Sequence, residues 1–317
     1  MRIAILGDLH YSARLLTRYP AHRAARDRAF DALVRRFFAV EADWYVSIGD
    51  LVNEGRSADY DGIYRLIRRY APASSPEKGA LQVGPSSIAR PKLERRFIHV
   101  LGNHDVLLLR KEDVEARIDQ PRNFSIDVPE ARLIFLDTTK ARKWYDWGGT
   151  LDRETLAWLS AELRAAGDRP ALVFAHHPVH NTTARSAGDR RSIDAAVPIE
   201  PVLAEKRGLN LFFSGHNHVD SIARRPHWLH VQTAAVLDTL TIRLVELSGG
   251  RIRLRLVPIG TPEMMWDVGR FARHMRGFRP GEGRAFGPLD EAYVSVERPM
   301  VVPAPEPAWA PVRAAEA

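Results

Sequence analysis

The 317 residues carry 45% hydrophobic and 27% charged side chains, the balance of a globular chain with room for one large domain and a modest appendage. Cysteine is missing, which excludes disulfides, zinc–thiolate sites and a thiol nucleophile, and no apolar run approaches the roughly 18 residues of a membrane span. The formal charge of +7 invites an anionic partner. Only six of the 46 basic residues are lysine, however, and clusters such as Arg190-Arg191 are short and separated, so the charge reads as an arginine-rich composition rather than a nucleic-acid footprint.

The apolar start, Arg2 to Leu6, is too short for a signal-peptide core and predicts a first strand; a cytoplasmic location is expected. Further strands are predicted at Trp44 to Ile48, Phe97 to Leu101, Leu133 to Leu136, Leu172 to Ala175 and Asn210 to Phe213. Helical patterns lie between them, near His22 to Val40, Asp59 to Arg69, Asp152 to Ala165 and Ile199 to Arg207. This alternation argues for an α/β protein. Beyond Ser221 the pattern turns to strands, with Thr239 to Leu247 and Arg251 to Val257 flanking a turn at Ser248-Gly249-Gly250. Two stretches stand apart. Residues 71–92, rich in Pro, Ser, Gly and Ala, read as a loop insertion. From Thr261 the chain reads as an irregular extension, with a Pro/Ala-rich tail from about residue 301. The expected division is therefore a catalytic domain over 1–260 and an extension over 261–317, with a homodimer through the C-terminal segment as one expectation.

Most of the strands end in polar clusters: Gly7-Asp8-Leu9-His10, Gly49-Asp50-Leu51-Val52-Asn53, Gly102-Asn103-His104-Asp105, Ala175-His176-His177-Pro178 and Gly215-His216-Asn217-His218. In α/β folds loops converge at this carboxyl edge and ligands bind there. A lone Asp-x-His is ordinary surface or capping chemistry; five clusters in order, each after a strand, are not. Aspartate, asparagine and histidine donors together suit zinc, manganese, iron or cobalt. Seven donors exceed what one tetrahedral ion takes but suit two ions sharing a carboxylate. Two cations about 3.5–4 Å apart lower the pKa of a shared water and bind phosphoryl oxygens. His104, in the same turn as the candidate ligand Asn103, is the candidate general acid, with Asp105 expected to accept its other ring proton or else to cap the following segment.

These five blocks resemble, in full and in order, the signature of the calcineurin-like metallophosphoesterase superfamily, over about residues 1–258. Within it the chain most resembles the bacterial group of class III cyclic-nucleotide and glycerophosphodiester phosphodiesterases. That closer likeness is carried by Gly49-Asp50-Leu51-Val52-Asn53-Glu54-Gly55-Arg56, Phe135-Leu136-Asp137-Thr138, Leu151 with Leu156, Trp158 and Leu159, and Phe174-Ala175-His176-His177-Pro178. The resemblance implies a four-layer αββα sandwich and two transition-metal ions. It implies Asp8, His10, Asp50 and His218 around the first ion, with Asp50 bridging to a second held by Asn103, His176 and His216. His177 would then stand behind the ligands or at the substrate's edge.

The activity so implied is hydrolysis of small organic or cyclic-nucleotide phosphodiesters. A phosphomonoesterase or protein phosphatase with the same site is the alternative; a nuclease and a catalytically dead scaffold are lesser rivals, the latter because no ligand is missing. The chain departs from the purple acid phosphatase branch, which places a tyrosine where Asn53 stands. It also has Val179 where a second proline commonly follows His-His-Pro. Trp144 to Gly149 reads as a packed loop or an aromatic wall over the substrate, Arg56 as a residue that could contact phosphate, and Met264-Met265-Trp266 as core packing or else an oligomer contact. His99, His227, His230 and His274 have no signature context.

Overall fold

The structure, a computed structural model, describes residues 1–73, 81–83, 96–141, 145–280 and 293–297. Its first half runs β1 (Arg2–Leu6), α1 (Pro20–Ala39), β2 (Trp44–Ser47), α2 (Ser57–Tyr70), β3 (Leu81–Val83), β4 (Phe97–His99), α3 (Lys111–Ile118), β5 (Phe124–Val128), β6 (Ala131–Leu136) and α4 (Arg153–Ala165). The second half runs β7 (Ala171–Ala175), α5 (Ile199–Ala204), β8 (Asn210–Ser214), β9 (Ser221–Arg225), β10 (Trp228–Gln232), α6 (Val236–Thr239), β11 (Thr241–Ser248), β12 (Arg251–Pro258), α7 (Pro262–Phe271) and β13 (Tyr293–Glu297). Every predicted strand and helix of the first 215 residues is present, with ends shifted by a few residues.

The strands form two sheets, ordered β13-β12-β11-β1-β2-β4 and β3-β5-β6-β7-β8-β10-β9. Period-two alternation decides what each face meets. On β1, Ile3 and Ile5 point between the sheets while Ala4 and Leu6 point to the helices α1, α2 and α7. On β7, Leu172 and Phe174 face the first sheet while Ala171, Val173 and Ala175 face α4 and α5. The result is four layers, αββα. Between the sheets Phe124, Phe135, Phe174 and Phe213 stack as cross-strand neighbours with ring centroids 4.7, 5.0 and 4.9 Å apart. Such aromatic pairs fix strand register, because a slip of one residue would turn every ring outward. Register matters here because β1, β2 and β4 run parallel in one sheet and β6, β7 and β8 in the other.

The extension beyond residue 260 departs from expectation. Thr261 caps α7 by accepting from the Met264 amide at 3.3 Å, and Pro262 supplies a first-turn φ. Met264, Val268 and Phe271 then recur at helical spacing and bury against α1, where the Phe271 and Phe30 rings lie 5.3 Å apart. The cap and proline were a start signal that the irregular composition masked. Of Met264-Met265-Trp266, only Met264 is core; Met265 and Trp266 are 67% and 69% exposed. The stretch read as a loop insertion contributes β3, paired with β5; the rest of 74–92, Trp144 and the tail from 301 lie outside the described residues. Among the described residues no helix is long and apolar enough to cross a membrane.

His230 on β10 is buried, pairs in register with Phe212, and is pushed down to about 4 by burial and then by Arg225. An unfolded chain protonates it near 6.5. Its folded value is depressed, so its contribution to stability is complete above about pH 6.5 and is lost as pH falls toward 4. His230→Gln should therefore reduce the wild-type loss of stability between pH 7 and 4.5 by roughly 2 kcal/mol. Chemical denaturation at the two pH values measures this; equal losses in both proteins would refute it.

Candidate metal centre

Parallel strands bring their carboxyl ends together, and each of the sequence clusters follows such an end. Asp8 and His10 follow β1, Asp50 follows β2, Asn103 and His104 follow β4, His176 follows β7, and His216 and His218 follow β8. The turns there are tight. Asp8, His10, Asp50, His216 and His218 all have positive φ, from 21° to 71°. Non-glycine residues avoid this region at a cost of about 1–2 kcal/mol each, so the strain is held by the surrounding fold. Gly49 has φ of +100°, and a Cβ there would sit 2.2 Å from His176 Nδ1. Only glycine lets the β2 turn lie against that imidazole.

The side chains converge as the ligand set requires. Asn103 Oδ1 lies 3.2 Å from His176 Nε2 and 3.0 Å from His216 Nδ1, and those two nitrogens are 3.3 Å apart. Asp50 Oδ2 stands between two imidazoles, 3.3 Å from His176 Nε2 and 3.9 Å from His10 Nε2. His10 Nε2 and His218 Nε2 face one another at 3.1 Å, and His218 Nε2 is 3.4 Å from Asp8 Oδ2. Among the described residues, the ligand atoms of His10, Asp50 and His104, and those of His176, His177 and His216, lie within 4.8 Å of one another.

Proton accounting shows what these contacts mean. His176 gives its Nδ1–H to the Ile48 carbonyl at 2.9 Å, and His216 gives its Nε2–H to the Arg190 carbonyl at 2.9 Å. His218 Nδ1 faces Asp238 Oδ2 at 3.6 Å. A carbonyl cannot donate, so in their neutral forms His176 and His216 turn lone pairs inward, at each other and at the Asn103 oxygen. Asp8 Oδ1 is buried and finds no hydrogen-bond donor. Acceptors converging in this way fit a cation, whose charge a proton on His176 otherwise supplies.

The electrostatics agree. Burial, with neighbouring imidazoles, pushes His216 down to about 3 and, despite Asp50, His218 to about 4, and holds His10 well below its usual range. Neutral imidazoles are what a metal binds. Burial also lowers His176, but Asp50 and Asp8 outweigh it and raise it to about 9, so a proton there answers the two carboxylates in place of a cation. Burial lifts Asp8, while His176, His104 and His10 overcome burial to hold Asp50 well down.

Asp105 is a correction. The His104 Nδ1–H goes to the Asn53 carbonyl at 2.6 Å, not to Asp105. The Asp105 carboxylate is fully buried and accepts from the Val52 and Gly102 amides at 3.0 and 2.7 Å, 3.3 Å from His99 Nε2. It ties the Asp50 loop to the Asn103 loop. His177 is likewise engaged on both sides, donating Nε2–H to the Trp147 carbonyl at 2.9 Å and accepting from the Thr138 hydroxyl at 2.8 Å. Arg56 pairs with Glu54 at 3.0 Å. The carbonyls of Asn53 and Arg190, the Asp238 carboxylate and Phe278 were missed. Phe278 packs against His10 and His218 with centroids 5.0 and 5.7 Å away, although it lies in a stretch with no motif. Backbone carbonyls leave no trace in residue identity.

Comparison with known proteins now becomes informative. The calcineurin-like phosphoesterase family model matches residues 1–220. The chain belongs to the calcineurin-like phosphoesterase family. It is 31% identical over 142 residues to the glycerophosphodiester phosphodiesterase GpdQ of Enterobacter lignolyticus, covering 43% of this chain and 42% of that one. It is 26% identical over 153 residues to purple acid phosphatase 17 of Arabidopsis thaliana, covering 40% and 43%. The match thus spans less than half the length of these relatives. The solved structure of PhoD shares the fold, with a TM-score of 0.50 at 10% identity, over 80% of this chain and 65% of that one. The family match ends at residue 220, so Asp238 and Phe278, which back and flank His218, lie beyond what it covers.

For this calcineurin-like phosphoesterase, Gly49→Ala should force His176 out of place. Bound metal per chain should fall and stability drop by about 2 kcal/mol or more. Elemental analysis with thermal unfolding tests this, and an unchanged metal content would count against the tight turn as the determinant.

Proposed function

We infer that the chain is a metal-dependent phosphoesterase that hydrolyses phosphodiesters bearing small organic or nucleotide groups. The observation that carries the reading is the convergence of Asn103 Oδ1, His176 Nε2 and His216 Nδ1, three acceptors within 3.3 Å of one another, beside Asp50 Oδ2. Asp8, His10, Asp50 and His218 would hold one ion, and Asp50, Asn103, His176 and His216 the other. Such a pair of transition-metal ions supplies Lewis-acid binding of phosphoryl oxygens and a water acidic enough to ionise near neutral pH.

The protein's own part is orientation and proton transfer. His104 is half-buried, in contact with the His10 ring at a centroid distance of 4.7 Å. Its Nδ1–H is held by Asn53, which leaves Nε2 to deliver a proton to the departing alkoxide. Asp50 Oδ1 accepts from the His104 amide at 2.8 Å, which ties the turn that carries the acid to a carboxylate that would hold the ions. The likeness to a protein named a glycerophosphodiester phosphodiesterase supports diesters over monoesters.

A general acid matters most when the leaving group is poor. His104→Gln should lower kcat about 10²–10⁴-fold on an alkyl phosphodiester and far less on a bis-nitrophenyl ester, whose phenolate leaves unaided. Asp50→Asn should abolish turnover of both. Rates on bis-aryl, mono-aryl and alkyl substrates in one metal-loaded preparation provide the test. Faster turnover of monoesters would move the assignment to a phosphatase, and full activity of the Asp50 variant would sink it.

A further inference from the structure

We propose that the stack of the Arg190 guanidinium on the Trp147 indole is a clamp that positions His216 and so sets the affinity of the second ion. The proposal rests on the reading of His216 as a ligand. His216 can present Nδ1 inward only while its Nε2–H has a fixed acceptor, and that acceptor is the Arg190 carbonyl at 2.9 Å. The neighbouring His177, whose ring lies 4.4 Å from that of His216, is held the same way by the Trp147 carbonyl at 2.9 Å. Two main-chain carbonyls on two separate loops thus hold the two rings from outside.

The loops are joined to each other. The Gly149 amide donates to Ser192 O at 2.9 Å and the Asp194 amide to Gly149 O at 3.0 Å. A Cβ on Gly148 would come within 3.2 Å of Arg190 Cα, so the chains touch there. At the outer end the guanidinium carbon lies 4.9 Å from the Trp147 ring centroid, a cation–π contact. Arg190 has φ of +57°, in the left-handed region. A residue strained in that way aims its carbonyl at His216 only while neighbours hold it; its side chain meets the indole and, through Nε at 3.4 Å, the exposed Asp189 carboxylate of its own turn. Trp147 is itself 39% exposed. Its ring is therefore no part of the buried core, and its side chain can be changed without opening the fold. Neither residue offers a ligand atom to the centre through its side chain; both are positioning residues. The loop that could have been an aromatic wall instead turns its carbonyl inward and its indole outward, under an arginine.

The test is titration of metal-free full-length protein with Co²⁺, followed by its visible spectrum and by calorimetry, on wild type, Trp147→Ala, Trp147→Phe and Arg190→Gly. Wild type should take up two ions. Trp147→Ala should weaken the second ion about 10- to 100-fold and leave the first unchanged. Trp147→Phe, which keeps an aromatic face, should restore most of the affinity. Arg190→Gly tolerates the positive φ but loses the guanidinium, and should behave like Trp147→Ala. Wild-type affinity for both ions in Trp147→Ala overturns the clamp, as does equal weakening of both ions. A wild type that binds one ion overturns the ligand assignment beneath it.

Discussion

The structure is organised around a problem of protons. Imidazoles and carboxylates crowd so closely that, with the rings of His176 and His216 neutral, their inward atoms and the Asn103 oxygen are acceptors facing acceptors. In a low-dielectric interior an unsatisfied acceptor costs about 1–3 kcal/mol, and several of them pointed at one spot cost more. What keeps His176, His216 and His104 from relieving it by rotating a ring is an outer hydrogen bond on each of these three. Ile48 and Arg190 carbonyls take the ring protons of His176 and His216, and Asn53 takes that of His104. Main-chain carbonyls suit this task, since they cannot donate and cannot rotate away.

Those carbonyls are in place because of how the two sheets meet. Parallel strands from both sheets end at one edge, and the phenyl ladder between the sheets fixes their register. The ligand turns then depart from regular structure at positive φ, held by cross-braces. The Asp8 carboxylate accepts from the His216 amide at 2.8 Å, which ties a first-sheet turn to a second-sheet turn. Asp105 does the same between the Asp50 and Asn103 turns. Below His218 the fully buried Arg243 of β11 meets Asp220 at 3.0 Å, so an ion pair spans the sheets close under the centre. Removing one partner of such a pair leaves a buried charge, so these braces hold the edge rigid even though each adds little net stability.

The sequence was informative wherever side-chain identity carried the physics. The five polar clusters stood out because metal chemistry is selective about Asp, Asn and His and because the alternation of strands and helices placed each cluster at one edge; the choice of seven candidate ligands among them came from the family resemblance. The layered α/β fold followed from periodicity. Of the two readings of Asp105, partner of the His104 ring or structural cap, the first rested on adjacency alone and fails because the ring proton goes to the Asn53 carbonyl while Asp105 accepts main-chain amides. The helix at Pro262 was passed over because its cap sits in a Pro- and Gly-rich neighbourhood. Phe278 and the carbonyls of Asn53 and Arg190 had no signal at all, since main-chain oxygens are common to every residue and a loop phenylalanine has no period.

This division of labour explains why a short motif set can be shared widely while its setting varies. The family match covers residues 1–220, which contain all seven proposed ligands and the proposed acid, His104. The wall against His10 and His218 is Phe278, and its loop is pinned where Asn53 Nδ2 donates to the Arg276 carbonyl at 2.8 Å. Asn53 therefore works twice: its own carbonyl fixes the His104 ring, and its side chain fixes the C-terminal wall. The place where another branch would have a tyrosine holds instead a small amide that couples the acid to a segment outside the shared signature. The candidate ligands thus sit on the common edge, while the rings of His10, His218, His177 and His216 are backed by that segment and by the loops carrying Trp147 and Arg190.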